Sequence, residues 1–277
     1  MKIFLKFILI FFIGFFMCSC VKYEKMQEIT FSTWGSHSEI KVINQLIKTF
    51  EKQNNVKVNL IHIPQNYFQK LHLLFASNQA PDVIFLNNYY LKLYNDANKL
   101  LDLSPFFQEE IDRDVFFKNS IKSLSVDGDL YAVPRDISNV VVFYNKDLFD
   151  KYKIKYPDEN WTYNDLFKIG KLFKQNNMYA IGIEDAPVFW EPILWANNGA
   201  IFNEKGELEI NTVNSLSALA WFVELRTKHG FSPSVEELSN KTMAQLFLNQ
   251  GIAMHVSGRW LVPKYRQEAK FDWDIVN

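Results

Sequence analysis

A two-lobed α/β fold is what this sequence predicts, and three observations predict it. Strand-like and helix-like segments alternate from Glu28 onward, the 277-residue chain exceeds one typical domain, and no Gly/Ser linker, internal repeat or low-complexity run divides it. The βαβαβ opening, strands alternating with crossover helices, closes as a mainly parallel sheet with helices on both faces. A chain of this length can bury a substantial core and divides naturally into two lobes. Without a flexible linker, ordered strands are expected to join them.

The first element is a leader. Lys2 and Lys6 form a basic head, and Phe7 to Phe16 is an apolar run of signal-peptide length rather than a full span. The following Met17-Cys18-Ser19-Cys20 resembles a bacterial lipobox, with small Ser19 before Cys20; Met17 makes Cys18 the poorer candidate. Cleavage after residue 19 would leave Cys20 as a lipidated mature N-terminus. The alternative is an uncleaved anchor helix from Ile3 to Val21 with Lys6 snorkelling. Either way the body lies outside the cytoplasm, in the cell envelope. No cysteine follows Cys20, so no disulfide or thiolate metal site is expected. Loss of the leader removes two lysines and no acids, leaving 28 basic against 31 acidic side chains and a charge near −3. That balance offers no footprint for nucleic acid.

Glu28 to Ser32 alternates as a strand. Ile40, Ile43, Ile47 and Phe50 recur at helical spacing from Ser38, read as the cap, to Asn54. Val56 to Ile63 reads as a strand, Tyr67 to Ala76 as a helix, and Asp82 to Leu86 as a short buried strand entered through Ala80-Pro81. Ligands of such βαβαβ sheets sit beyond the carboxyl ends of the strands, here around Trp34 to His37 and Asn87-Asn88. Asp127-Gly128-Asp129 marks a hairpin turn, with strands expected at Tyr131 to Pro134 and Val140 to Tyr144. Thr162 and Asp165 stand in capping-box spacing at the head of a helix through Phe173. Tyr179 to Ile183 reads as a strand, Val188 to Asn197 and Ser215 to His229 as helices, and Phe202 to Ile210 as a hairpin around Lys205-Gly206. Ile252 to Val256 is a strand delivering Ser257-Gly258-Arg259-Trp260 into a turn.

Catalytic motifs do not emerge. HExxH, GxSxG, P-loop and GxGxxG patterns do not occur, and histidines 37, 62, 72, 229 and 255 are too dispersed for an evident triad or metal set. Glu109-Glu110 and Glu236-Glu237 read as solvated faces. No cofactor and no metal are expected.

Several segments together resemble the sugar-binding branch of the extracellular solute-binding proteins, the lipoprotein receptors of ABC importers. They are Ala80-Pro81-Asp82-Val83, Gly128 to Pro134, Tyr144 to Phe149, Trp161-Thr162, Trp195 to Gly199 before Phe202-Asn203, and Gly251 to Met254 running into Ser257 to Trp260. The resemblance implies a periplasmic-binding-protein fold, type II-like, with lobes joined by crossing strands near Ile137 to Tyr144 and Phe271 to Val276. On it, residues 1–19 are the signal peptide, 20–27 a tether, 28–137 the first lobe, 138–271 the second, and 272–277 the start of the return crossing. Members of the family continue well beyond this point. A truncated product is therefore expected, its first lobe incomplete and its apolar exposure above the roughly 600 Å² that a monomer tolerates.

The resemblance further implies a sugar ligand held in a cleft, delivery to a membrane permease, a membrane tether through lipid, and a monomer. A non-binding remnant and a carbohydrate-acting enzyme using Asp136 and Glu191 are the rival readings. Sugars need flat aromatic platforms and planar polar groups. Trp34 is one platform, or else a lid over the core. Gly35, Ser36 and His37 offer helix-terminal N–H groups, with His37 alternatively capping or exposed. Asn87 and Asn88 offer paired donors and acceptors, with Asn88 alternatively a cap. Asp136 is the preferred carboxylate, or else Arg135's partner. In the second lobe the candidates are Trp190, Glu191, Gly258, Arg259 and Trp260, whereas Trp195 reads as core. Gly258 would let the backbone approach a ligand, Arg259 would fork onto oxygens, leaving glycerol phosphate open, and Trp260 would stack or simply cover the turn.

Overall fold

A computed structural model describes residues 26–109, 112–203, 206–234, 236–238 and 240–277. The leader, Cys20, Glu110 and Lys205 lie outside the described residues. The chain divides into two units between Arg135 and Asp136.

The first unit contains β1 (Gln27–Thr33), α1 (His37–Asn54), β2 (Val56–His62), α2 (Tyr67–Ala76), β3 (Val83–Ile84), α3 (Asn88–Asp96), α4 (Ser104–Glu109), α5 (Lys118–Ser123), β4 (Ser125–Val126) and β5 (Asp129–Leu130). β1 is central in a parallel sheet ordered β2-β1-β3. Its partnership with β3 covers only Phe31↔Val83 and Ser32↔Ile84. A side-chain clamp extends it: Thr30 donates from backbone N–H and hydroxyl to Asp82 Oδ2 at 2.7 and 2.6 Å, and the Asp82 N–H donates to Thr30 Oγ1 at 2.9 Å. Those Thr30 donors hold the Asp82 carboxyl below its ordinary value.

The cap of α1 is Ser36, not the expected Ser38. Ser36 has Glu39 three residues on, and the two exchange the bonds of a capping box; Ser38 would face Lys41, which has no acceptor to return. The helix buries no residue fully: Ile40, Ile43 and Ile47 are half-buried, and Phe50 is exposed. The core lies instead around Ile63, Tyr67, Leu71 and Tyr94, with a second cluster at Leu91, Phe107, Leu124 and Leu130. Asp127 and Gly128 both take positive φ, 53° and 97°, closing the two-rung β4–β5 hairpin. No strand forms at Tyr131 to Pro134. Tyr131 N–H donates to Leu124 at 3.1 Å, and the chain then leaves the ladder, where Pro134 has no donor to offer.

The second unit contains β6 (Val140–Asn145), α6 (Lys146–Lys151), α7 (Tyr163–Gln175), β7 (Tyr179–Gly182), α8 (Pro187–Ala196), α9 (Val213–Thr227), α10 (Met243–Leu248), β8 (Ile252–Gly258), α11 (Val262–Glu268) and β9 (Trp273–Val276). Its sheet runs β7-β8-β6-β9 and is mixed, whereas the βαβαβ opening of the first unit forms the parallel sheet expected of it. β7 and β8 are parallel, but β6 is antiparallel to both β8 and β9. Apolar periodicity marks a strand without marking its direction. The expected hairpin at 202–210 is reduced to one antiparallel bridge, Phe202↔Leu208. The Thr162–Asp165 capping box at the head of α7 is present as read.

Every residue of β8 is buried. One apolar cluster includes Met254, Val256, Phe173 and Phe149; another includes Ile252, Phe143, Phe247 and Tyr265. A strand covered on both faces explains the unbroken Ile252-Ala253-Met254 run. Within it His255 is buried. Its Nδ1 hydrogen-bonds the Tyr265 hydroxyl at 2.6 Å, while Nε2 has no partner.

Gly170 sits inside α7 because Phe231 leaves no room, and a Cβ there would stand 2.4 Å from the ring. Alanine's helical advantage of about 1 kcal/mol therefore loses to overpacking. Gly170→Ala is expected to lower urea-unfolding stability by about 1–3 kcal/mol net.

Burial depresses the His255 pKa to about 3. The unfolded chain protonates this histidine near 6.5 and the folded chain does not, so its contribution is complete above that value and lost as pH falls. From pH 7 to pH 5 the loss is about 2 kcal/mol. Thermal unfolding of His255→Gln should show a flatter slope across this interval than the parent; parallel slopes would refute the assignment.

Candidate functional site

Each unit gathers expected residues at the carboxyl edge of a parallel strand pair. In the first unit β1 and β3 end side by side, which brings Trp34 to Ser36 and Asn87 to one edge. Trp34 is half-buried, its ring 5.0 Å from Tyr67, 5.8 Å from Phe68 and 5.4 Å from Phe85. Those contacts make it part of the core's lid while leaving some of its surface open. Gly35 has φ 131°, a region side chains rarely enter, and its carbonyl hydrogen-bonds His62 Nε2 at 2.9 Å. The N–H of Ser36, expected to be free for a ligand, is not: it donates to Glu39 Oε2 at 2.8 Å. His37 is exposed at the first position of α1.

Asn87 precedes α3 at the cap position without making a side-chain cap bond, and its Oδ1 is buried with no partner. Asn88, the alternative cap, is the exposed first residue of the helix instead. Arg135, read from the sequence as a possible partner of Asp136, is the last residue of the first unit and meets this edge. The Arg135 guanidinium lies 4.4 Å over the Phe85 ring and reaches Glu39 at 3.8 Å. Asp136 is exposed at the first position of the second unit.

In the second unit the parallel β7–β8 pairing ends at Gly182↔His255, and β8 runs on to Gly258. Beyond β7 lies an open hollow of about 250 Å³ lined by Ile183, Glu184, Asp185, Arg226, Leu238, Thr242 and Met243. Arg226 donates to Asp185 Oδ1 at 2.8 Å and to the Ile183 carbonyl at 3.0 Å, and its Nε is buried without a partner. The Glu184 carboxyl is held above its ordinary value by desolvation and by the neighbouring Asp185 charge. None of these polar residues was predicted. The carboxyl-edge rule that found Trp34 and Asn87 would have found Glu184 and Asp185 had it been applied to the Tyr179–Ile183 strand; Arg226 carries no sequence signal of that kind.

Trp190 is half-buried and its Nε1 donates to the Asp185 carbonyl at 3.1 Å, which ties α8 to the rim of the hollow. Glu191 is half-buried beside it, and Arg259 is exposed in the 3₁₀ turn Arg259–Leu261. Trp260 is 48 % exposed, its ring 6.4 Å from Phe189. Trp195, read as core, is 56 % exposed because α8 turns Ile193 and Leu194 inward instead. Among the described residues no group of three or more His, Cys, Asp or Glu side chains is arranged to hold a metal, and no helix is long and apolar enough to cross a membrane.

Two α/β units with aromatic and polar side chains at their strand ends are the architecture of a binding protein. Residues 34–276 match the family model of the bacterial extracellular solute-binding protein, and the chain belongs to that family, one of transport receptors rather than enzymes. An ABC substrate-binding protein of Listeria monocytogenes, solved with cycloalternan, is similar at 32 % identity and TM-score 0.83, over 91 % of this chain and 66 % of that one. A solute-binding protein of Thermotoga lettingae solved with α-D-tagatose shares the fold at 17 % identity and TM-score 0.78, over 90 % and 67 %. The galactooligosaccharide-binding protein of Bacillus subtilis is 22 % identical over 84 % of this chain and 56 % of its own. This chain spans about half the length of the curated relatives it matches.

Because the Asn87 oxygen has no bond to lose, Asn87→Ala is expected to leave the urea-unfolding free energy within about 0.5 kcal/mol of the parent or raise it. A loss above about 2 kcal/mol would show that the side chain is structural.

Proposed function

We propose that this protein is the sugar-binding component of a carbohydrate ABC importer, exported, tethered at the membrane through lipid on Cys20, and presenting its ligand to a membrane permease. The observation that carries the sugar reading is the second-unit edge: an exposed indole, Trp260, and a hollow with Glu184, Asp185, Arg226 and Thr242 at its wall follow the ends of adjacent parallel strands. An indole face suits the C–H face of a pyranose, and carboxylates and a guanidinium suit its hydroxyl rim. The first-unit edge repeats the combination with Trp34 and the unpartnered Asn87 oxygen. Family membership and the carbohydrates named for the relatives support the reading. A tether of more than one acyl chain would retain the protein, whereas a single chain binds only marginally.

Titration of the purified protein with mono- and oligosaccharides, followed by tryptophan emission, is expected to give a saturable change. Trp260→Ala should weaken the binding at least about tenfold, the scale of one lost aromatic platform. Silence across neutral saccharides of one to seven units would overturn the reading, as would undiminished affinity in Trp34→Ala and Trp260→Ala together.

A further inference from the structure

Gly258 has backbone angles that any residue adopts, φ −96° and ψ 162°, so the turn does not require glycine. The requirement comes from a neighbour. A Cβ built on Gly258 would stand 1.7, 2.0 and 2.2 Å from Cζ3, Cε3 and Cη2 of Trp260, inside the indole's own volume. The benzo ring therefore occupies the place where residue 258 would carry a side chain. Gly258 is itself buried and paired with Val140 across the β6–β8 ladder. The indole thus rests on backbone that the sheet holds rigid, at the point where β8 passes into the 3₁₀ turn.

From this geometry we infer that Gly258 is the positioning residue for the Trp260 platform, and does not serve by letting a ligand approach its backbone. The inference rests on the sugar-binding reading of Trp260. Its physical content is pre-organisation: an exposed tryptophan on a turn samples several rotamers, and seating it against an unsubstituted Cα removes that freedom before the ligand arrives. Phe189, with its ring at 55° to the indole, flanks the same seat. Any side chain at 258 displaces the indole rather than the strand, because the ring is the movable end of a half-exposed side chain while Gly258 is buried and held in the β6–β8 ladder.

The test uses Gly258→Ala and Gly258→Ser in the parent and in a Trp260→Ala background. Thermal unfolding monitors the fold, and acrylamide quenching, read as the difference between backgrounds, reports the Trp260 indole without any sugar. In the parent background, quenching of the Trp260 component should increase at least about twofold with the unfolding midpoint little changed, and affinity for the tightest-binding saccharide of the panel should fall about tenfold. In the Trp260→Ala background the same substitutions should change neither stability nor the remaining affinity. Unchanged Trp260 quenching in folded Gly258→Ala would overturn the inference, and so would an equal loss of sugar affinity in both backgrounds, which would restore direct ligand contact by the Gly258 backbone. A parent that binds no saccharide overturns the sugar reading; the quenching arm still decides whether Gly258 seats the indole.

Discussion

Complete burial of β8 is the constraint on which the second unit depends. A strand covered on both faces cannot tilt or slip without exposing one cluster or the other, and β6 pairs it as far as Gly258, so its carboxyl end is held in place. Gly258 and Trp260 inherit that fixity. The parallel neighbour β7 ends earlier, opposite His255, and releases Ile183, Glu184 and Asp185 to the hollow. Arg226, delivered by α9, ties itself to two atoms of that rim, so helix and strand edge form one polar wall.

The first unit achieves a comparable edge with less core. Its helix α1 buries nothing fully, and its β1–β3 pairing is two residues long. Side-chain hydrogen bonds take over where ladder bonds stop: Asp82 clamps Thr30, Ser36 and Glu39 close the capping box, and Arg135 is held between Glu39 and Phe85. Such exposed links are individually small, on the order of 0.5–1 kcal/mol. Their value is directional, since they decide where the chain leaves each strand. Asp82 falls in a segment by which the family resemblance was read, and the structure supplies a mechanical reason for it: an aspartate after Pro81 reaches back to complete a strand pair that β3 is too short to make.

Three of the buried polar atoms left without partners among the described residues differ in where they lie. His255 Nε2 is sealed in the core next to Tyr265, where it makes the fold sensitive to acid and touches no strand end. Asn87 Oδ1 and Arg226 Nε also lack partners, but they lie at the two carboxyl edges. An unsatisfied polar atom costs stability wherever it is buried. At a strand end where ligands of α/β sheets collect, that cost is one that a polar ligand group would offset under the sugar-binding proposal.

Much of the fold was legible from residues alone. The alternation from Glu28 to Leu86, the helix at Tyr67 to Ala76 and the Thr162–Asp165 capping box are local in origin, because periodicity and capping act within a few residues of chain. Candidate platforms at Trp34 and Trp260 followed from strand ends for the same reason. Strand direction in the second sheet, the exposure of Trp195, the seat of Trp260 on Gly258 and the placing of Arg226 at the β7 rim were not legible. Each depends on residues distant in sequence meeting in space: β6 with β9, α8 with α9, and Arg226 with Asp185, 41 positions apart. The sequence by itself determined which segments are strands and helices and which ends carry aromatic and polar side chains; tertiary packing alone decided which of those side chains are seated, which are spent on one another, and which remain open to a ligand.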